Sequence, residues 1–128
     1  MNENELSEIA VDIAFRIHTS LGPGLLESVY EKAFAYELSK QGVEFETQVP
    51  IKAFYDGADL GVGFRADIII EKKLIIEIKS VEAIDKVHHK QLLTYLTLSG
   101  LKLGLLINFN ERLIKNGISR KIMGTLDD

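Results

Sequence analysis

Two short apolar runs, Ile68-Ile69-Ile70 and Leu74-Ile75-Ile76, are separated by the charged triplet Glu71-Lys72-Lys73. Runs this short and this rich in β-branched residues suit a pleated sheet, and the triplet reads as the tight turn joining two strands. Because the runs are continuous rather than alternating, the sheet must be covered on both faces, with helices the natural cover. A three-residue loop sets Ile70 opposite Leu74 and therefore Asp67 opposite Glu77. Successive strand residues point to opposite faces, so Glu77 and Lys79 project together while Ile76 and Ile78 go the other way. Two carboxylates and an ammonium on an otherwise apolar sheet are costly to bury without a compensating cation or partner.

The flanking chain supplies the cover. Leu6, Ile9, Ala10, Ile13 and Ile17 recur at helical spacing over residues 5–20, with Glu8, Asp12 and Arg16 on the other side and His18 a surface or capping residue near the end. Leu21-Gly-Pro-Gly24 breaks that helix. A second helix is expected from about Leu25 to Lys40, with Leu26, Val29, Tyr30, Ala33 and Phe34 as its buried stripe, Glu27 at the stripe's edge and Gly42 as a left-handed cap. Val49, Ile51, Ala53 and Tyr55 alternate along a strand from residue 44 to 55, bent at Pro50, and Asp56-Gly57 with Gly61 marks a turn. Beyond Ser80, Asp85 caps a third helix over residues 86–98, with Val87, Leu92 and Leu96 inward and Ser99-Gly100 at its end. Residues 102–109 form a buried strand reached by a βαβ crossover, and residues 113–122 add an edge strand.

At 128 residues the chain is long enough for one domain, 1–128, to bury a core without staples. It has no cysteine, which removes disulfides and thiolate metal sites. The opening Met1-Asn-Glu-Asn-Glu5 lacks the basic and apolar regions of a secretory signal, and no apolar run approaches the roughly 18 residues of a membrane span; both point to the cytoplasm. The net charge of −4 argues against a basic coat for non-specific nucleic-acid binding. Residues 1–50 hold nine acids and three bases, whereas residues 51–128 hold ten acids and twelve bases, so a polyanion would meet the second part.

The charge set has a chemical reading. Mg²⁺ or Mn²⁺ takes oxygen ligands, commonly one or two carboxylates with water and substrate phosphate. Asp67 and Glu77 supply the carboxylates, the carbonyl of Ile78 a further oxygen, and Lys79 can hold or deprotonate a water or stabilise developing charge.

Asp67 with Glu77-Ile78-Lys79 resembles the PD-(D/E)xK nuclease superfamily, whose core is αβββαβ. More closely, Gly24-Leu-Leu-Glu27-Ser-Val-Tyr30 is similar to the motif that names the GxxExxY family of that superfamily. The likeness continues through Glu77-Ile-Lys79-Ser80-Val81, His88-His-Lys-Gln91-Leu-Leu-Thr-Tyr95-Leu96 and Gly104-Leu-Leu-Ile-Asn-Phe109, spanning about residues 5–122. It implies an α/β fold with a restriction-endonuclease-like core, a mixed sheet of four to five strands flanked by helices.

By the same resemblance, Asp67 and Glu77 ligate Mg²⁺ or Mn²⁺, Glu27 adds an acid directly or through water, and Lys79 is the catalytic lysine. Gln91 and Tyr95 match the Gln-x-x-x-Tyr helix motif of RecB-like exonucleases, which positions the site or the nucleic acid, and His88 matches the His three residues before that Gln. Ala66 stands where the superfamily's eponymous Pro would be; that Pro shapes backbone and carries no chemistry. Arg65 should share the face of Asp67, pairing with it in preference to contacting phosphate. The implied activity is metal-dependent nucleic-acid hydrolysis, with DNA favoured over RNA. The rival is a non-catalytic nucleic-acid-binding or protein-interaction module on the same fold. The acidic balance leaves a homo-oligomer or partner protein open as the source of basic surface.

Overall fold

The computed structural model describes residues 1–126; Asp127 and Asp128, the last two residues of the expected 1–128 unit, lie outside the described residues. Its element order is α1 (Glu3–Leu21), α2 (Glu27–Lys40), β1 (Phe45–Tyr55), β2 (Ala58–Ile70), β3 (Leu74–Lys79), α3 (Lys86–Ser99), β4 (Leu103–Asn108), a 3₁₀ turn (Ile114–Gly117) and β5 (Ile118–Ile122). The five strands lie in sequence order in one mixed sheet, antiparallel except for the β3–β4 pair. This is the helix-flanked mixed sheet of a restriction-endonuclease-like fold. Among the described residues no helix is long and apolar enough to cross a membrane.

The apolar runs build both layers. Ile68, Ile70, Leu74, Ile76 and Ile78 pack with Leu6, Ile13, Tyr30 and Phe34 of α1 and α2, while Ile69 and Ile75 pack with Leu92 and Leu96 of α3. Burying an aliphatic side chain of this size stabilises by about 1.5–3 kcal/mol. At Gly104 a Cβ would stand 2.8 Å from a Leu92 methyl, so the missing side chain sets how closely α3 approaches β4.

Four expectations give way. The α2 helix begins at Glu27 rather than Leu25, and Leu26 and Val29 are exposed, 74% and 39%, while Leu38 joins Tyr30 and Phe34 inside. Val87, in the first turn of α3, is likewise exposed. The irregularity in β1 does not sit at Pro50, which stays in register with Arg65. The register shifts of β1 lie instead between Ile51 and Lys52 and between Lys52 and Phe54, and a separate irregularity, without a shift of register, sits at Gln48, whose φ of 50° is left-handed. There the alternation of both strands changes phase: Phe45 and Ile68 face the α1/α2 layer, whereas Val49 and Ala66 face α3. Finally, β2 extends back to Ala58, because Asp56 and Gly57 both adopt positive φ and close a tight hairpin that leaves Gly61 within the strand.

Candidate active site

The β2–β3 pairing holds from Ile70↔Leu74 to Ile68↔Ile76 in the register expected from a three-residue turn. At the next pair, side chains take over from the ladder. The backbone N–H of Asp67 donates to Glu77 Oε2 at 2.9 Å, and the backbone N–H of Ile78 donates to Asp67 Oδ2 at 2.8 Å. The strands part where each carboxylate replaces a lost strand-to-strand bond. Among the described residues no backbone donor reaches Asp67 Oδ1 or Glu77 Oε1.

The electrostatics follow from that packing. Glu77 is only 6% exposed. Burial first, and then the negative charge of Asp67, push its carboxyl from 4.5 up to about 8. The Asp67 carboxyl is also raised, chiefly by burial; the Ile78 N–H, Lys79 and Gln48 pull the other way, and Glu27 adds to the rise. Lys79 thus acts on both acids, yet forms no ion pair within 4.0 Å of either among the described residues. A buried and a half-buried acid that resist ionising together are stabilised by added positive charge.

Glu27 opens α2 and is exposed; its Oε2 accepts the Ser80 N–H at 3.2 Å. Ser80 in turn donates its hydroxyl to Leu25 O at 2.6 Å, so the helix tip is latched to the chain leaving β3. Tyr30 holds the other side of the tip: its hydroxyl donates to Gly22 O at 2.6 Å and accepts the Leu25 N–H at 3.1 Å, while its ring stacks on Phe109 at 4.5 Å. Within Gly24-Leu-Leu-Glu27-Ser-Val-Tyr30, the Glu and the Tyr both fix a loop whose Gly24 has φ 96°.

Glu27 and Asp67 line one cleft of about 210 Å³ together with Ser28, Glu31, Gln48 and Ile78. Glu27, Asp67 and Glu77 do not close into a three-acid cluster: among the described residues no group of three or more His, Cys, Asp or Glu could hold a metal ion. The arrangement that fits a hard cation is narrower. It consists of the buried Glu77 and the half-buried Asp67, each with one oxygen free of the backbone bonds described, which suits an ion that keeps its remaining ligands as water and phosphate.

On α3, Tyr95 stacks face to face on Phe64 at 3.7 Å. Burial first, and then the charges of Glu77 and Asp67, hold its hydroxyl above the ordinary pKa. Gln91 is exposed one turn earlier and makes no side-chain hydrogen bond among the described residues. His88 is turned to capping: its Nδ1 accepts the Asp85 N–H at 3.0 Å, and its own N–H donates to Asp85 O at 3.0 Å. Arg65 is exposed on β2 and, against the expected pairing, forms no ion pair with Asp67 among the described residues. The change of phase at Gln48 and Asp67 breaks the two-residue periodicity on which that shared face depended.

Three residues at the site carry no obvious mark in the sequence. Gln48 donates through Nε2 to Glu31 Oε1 at 2.7 Å and to Asp67 Oδ1 at 3.4 Å. Glu31 lies four residues after Glu27, on the same helical face, and that spacing could have flagged it. Asn108 is fully buried and anchors the segment after Lys79: Oδ1 accepts the Val81 and Asn110 N–H groups, and Nδ2 donates to Val81 O. Its signal was a lone amide inside the apolar run Leu105-Leu-Ile-Asn-Phe109.

A family model of the PD-(D/E)XK nuclease superfamily matches residues 4–121 of the chain. Neither the curated proteins nor the solved structures contain a significant match.

Proposed function

Because the chain belongs to the PD-(D/E)XK nuclease superfamily, we propose that it hydrolyses phosphodiester bonds in nucleic acid, DNA in preference to RNA, with Mg²⁺ or Mn²⁺ at Asp67 and Glu77. The observation that carries this reading is the reciprocal bonding of Asp67 and Glu77 at the point where β2 and β3 part. Backbone N–H groups fix one oxygen of each acid and leave the other to bind. A structural ion-pair patch would instead pair Lys79 with one of the acids, and no such pair is formed among the described residues.

In this reading Asp67, Glu77 and the Ile78 carbonyl would hold the cation, and Glu27 would reach it directly or through water. The chemistry such a cation supplies when bound is polarisation of the scissile phosphate and a more acidic water. Lys79 Nζ orients the attacking water and stabilises the negative charge that develops on phosphate. Tyr95 lines the floor beside both acids, Gln91 and Arg65 offer exposed contacts to the nucleic acid, and His88 keeps the start of α3 in place. The motif around Gly24, Glu27 and Tyr30 supports placement in the GxxExxY branch, and a cytoplasmic setting goes with it.

The test is incubation with single- and double-stranded DNA and RNA in Mg²⁺, Mn²⁺ or chelator, beside Asp67→Asn and Lys79→Ala. Cleavage that needs the cation and is lost in both variants supports the reading. Cleavage that survives chelator and both substitutions sinks it. Binding without cleavage favours the non-catalytic module.

A further inference from the structure

Gln48 is the least expected residue of the cleft. It lies on the sheet's edge strand, is exposed, and adopts a left-handed φ of 50°, a conformation that L side chains rarely take. Strain of this kind persists where surrounding contacts enforce it, and it gathers at functional sites. The contacts here are specific. The left-handed turn coincides with the change of phase shared by β1 and β2, and it aims the Gln48 side chain toward α2. The Nε2 group then stands between two carboxylate oxygens from different elements, Glu31 Oε1 of α2 at 2.7 Å and Asp67 Oδ1 of β2 at 3.4 Å.

The second contact is the informative one. Asp67 Oδ2 is already fixed by the Ile78 N–H, so Oδ1 is the oxygen left for a ligand. At 3.4 Å the amide is at the long limit of a hydrogen bond, near enough to soften the repulsion between Glu31 and Asp67 but too weakly held to resist displacement. A primary amide presents two N–H donors and no net charge, which makes it a poor neutral substitute for a cation.

We infer that Gln48 is a positioning residue that competes with the metal: its amide bridges Glu31 and Asp67 and is displaced when a divalent cation takes Asp67 Oδ1. The inference rests on the metal-dependent reading above. Its consequence runs opposite to that of an ordinary support. Removing the amide leaves Glu31 and Asp67 facing each other without that donor, so the protein in chelator is less stable and the cation, freed from competition, binds more tightly. A purely structural Gln48 would on removal loosen the site and weaken binding.

The experiment is calorimetric titration of Mg²⁺ into the wild-type chain, Gln48→Ala, Gln48→Gly and Asp67→Asn, with urea unfolding of each in chelator. Because Gln48 is exposed, both of its variants retain the fold. Gly removes the backbone strain as well as the amide and so separates the two. Expected are Mg²⁺ dissociation constants at least threefold lower in both Gln48 variants, with Gln48→Gly the more stable of the two in chelator. Unchanged or weaker Mg²⁺ binding in the Gln48 variants, with wild-type binding that Asp67→Asn abolishes, overturns the inference and leaves the nuclease site standing. A wild-type chain that binds no Mg²⁺ overturns both.

Discussion

Replacing Glu77 by Gln should make the metal-free protein more stable, and the gain should grow with pH. The Gln side-chain oxygen can still accept the Asp67 N–H that Glu77 accepts at 2.9 Å, so the substitution removes charge while keeping the bond that closes the strand end. In the folded wild-type chain this carboxyl titrates at about 8, against an ordinary 4.5, chiefly because it is buried. Below about pH 4.5 both folded and unfolded chains hold the proton, and the wild type suffers no penalty. Between 4.5 and 8 only the folded chain holds it, so folding takes up a proton and wild-type stability falls as pH rises; above 8 the loss is complete. At about 1.4 kcal/mol per pK unit the full interval sets a ceiling of about 5 kcal/mol. Water entry at the open strand end lowers the expected value to about 1–3 kcal/mol. For a chain of this length that is a rise in Tm of about 3–15 °C at pH 9, shrinking to within about 0.5 kcal/mol at pH 4. Urea unfolding and thermal melts across pH 4–9 in chelator measure it. A Glu77→Gln protein that parallels or falls below the wild type across this range would refute the argument that Glu77 is a buried carboxylate lacking a positive partner.

Other outcomes follow from single contacts. Tyr30→Phe keeps the stack on Phe109 but loses both hydroxyl bonds to the Gly22–Leu25 loop, at a cost of about 1–2 kcal/mol in urea unfolding, with faster amide exchange in that loop. Gly104→Ala drives a methyl into Leu92 and should destabilise by about 1–3 kcal/mol, whereas Gly104→Ala combined with Leu92→Ala should recover part of that loss. Asn108→Leu strands the half-buried polar groups of Val81 and should cost about 1–3 kcal/mol by thermal melt. If nucleic acid is cleaved, Ser80→Ala, which frees the tip of α2 from the end of β3, should lower turnover with under about 1 kcal/mol lost in stability.

The hairpin at the centre of the sheet was legible because its register depends on counting alone: a three-residue loop and a period of two place Asp67 beside Glu77. Helices α1 and α3 were legible from spacing and caps, Gly100 adopting the left-handed conformation that ends α3. The tip of α2 was not. A helical wheel reports which residues share a face but not whether that face is covered, and Leu26 and Val29 are exposed. Nor was Gln48 legible, since nothing in Glu-Thr-Gln-Val-Pro announces a left-handed Gln. The shift of phase it causes is a property of two strands together. The same shift explains why Arg65 and Asp67, two apart, do not pair. Glu27 was legible as a residue type at a fixed spacing, whereas its partner, the Ser80 N–H, is a backbone group 53 residues away.

The central claim, that Asp67 and Glu77 together hold one divalent cation, is tested most directly by titrating Mn²⁺ while following its six-line paramagnetic resonance signal, which only the free ion gives. The account predicts one Mn²⁺ bound per wild-type chain, with a proton released on binding near pH 7 because Glu77 must ionise, and binding lost in both Asp67→Asn and Glu77→Gln. Equal Mn²⁺ binding by the wild type and both variants, or none by any of them, would contradict it.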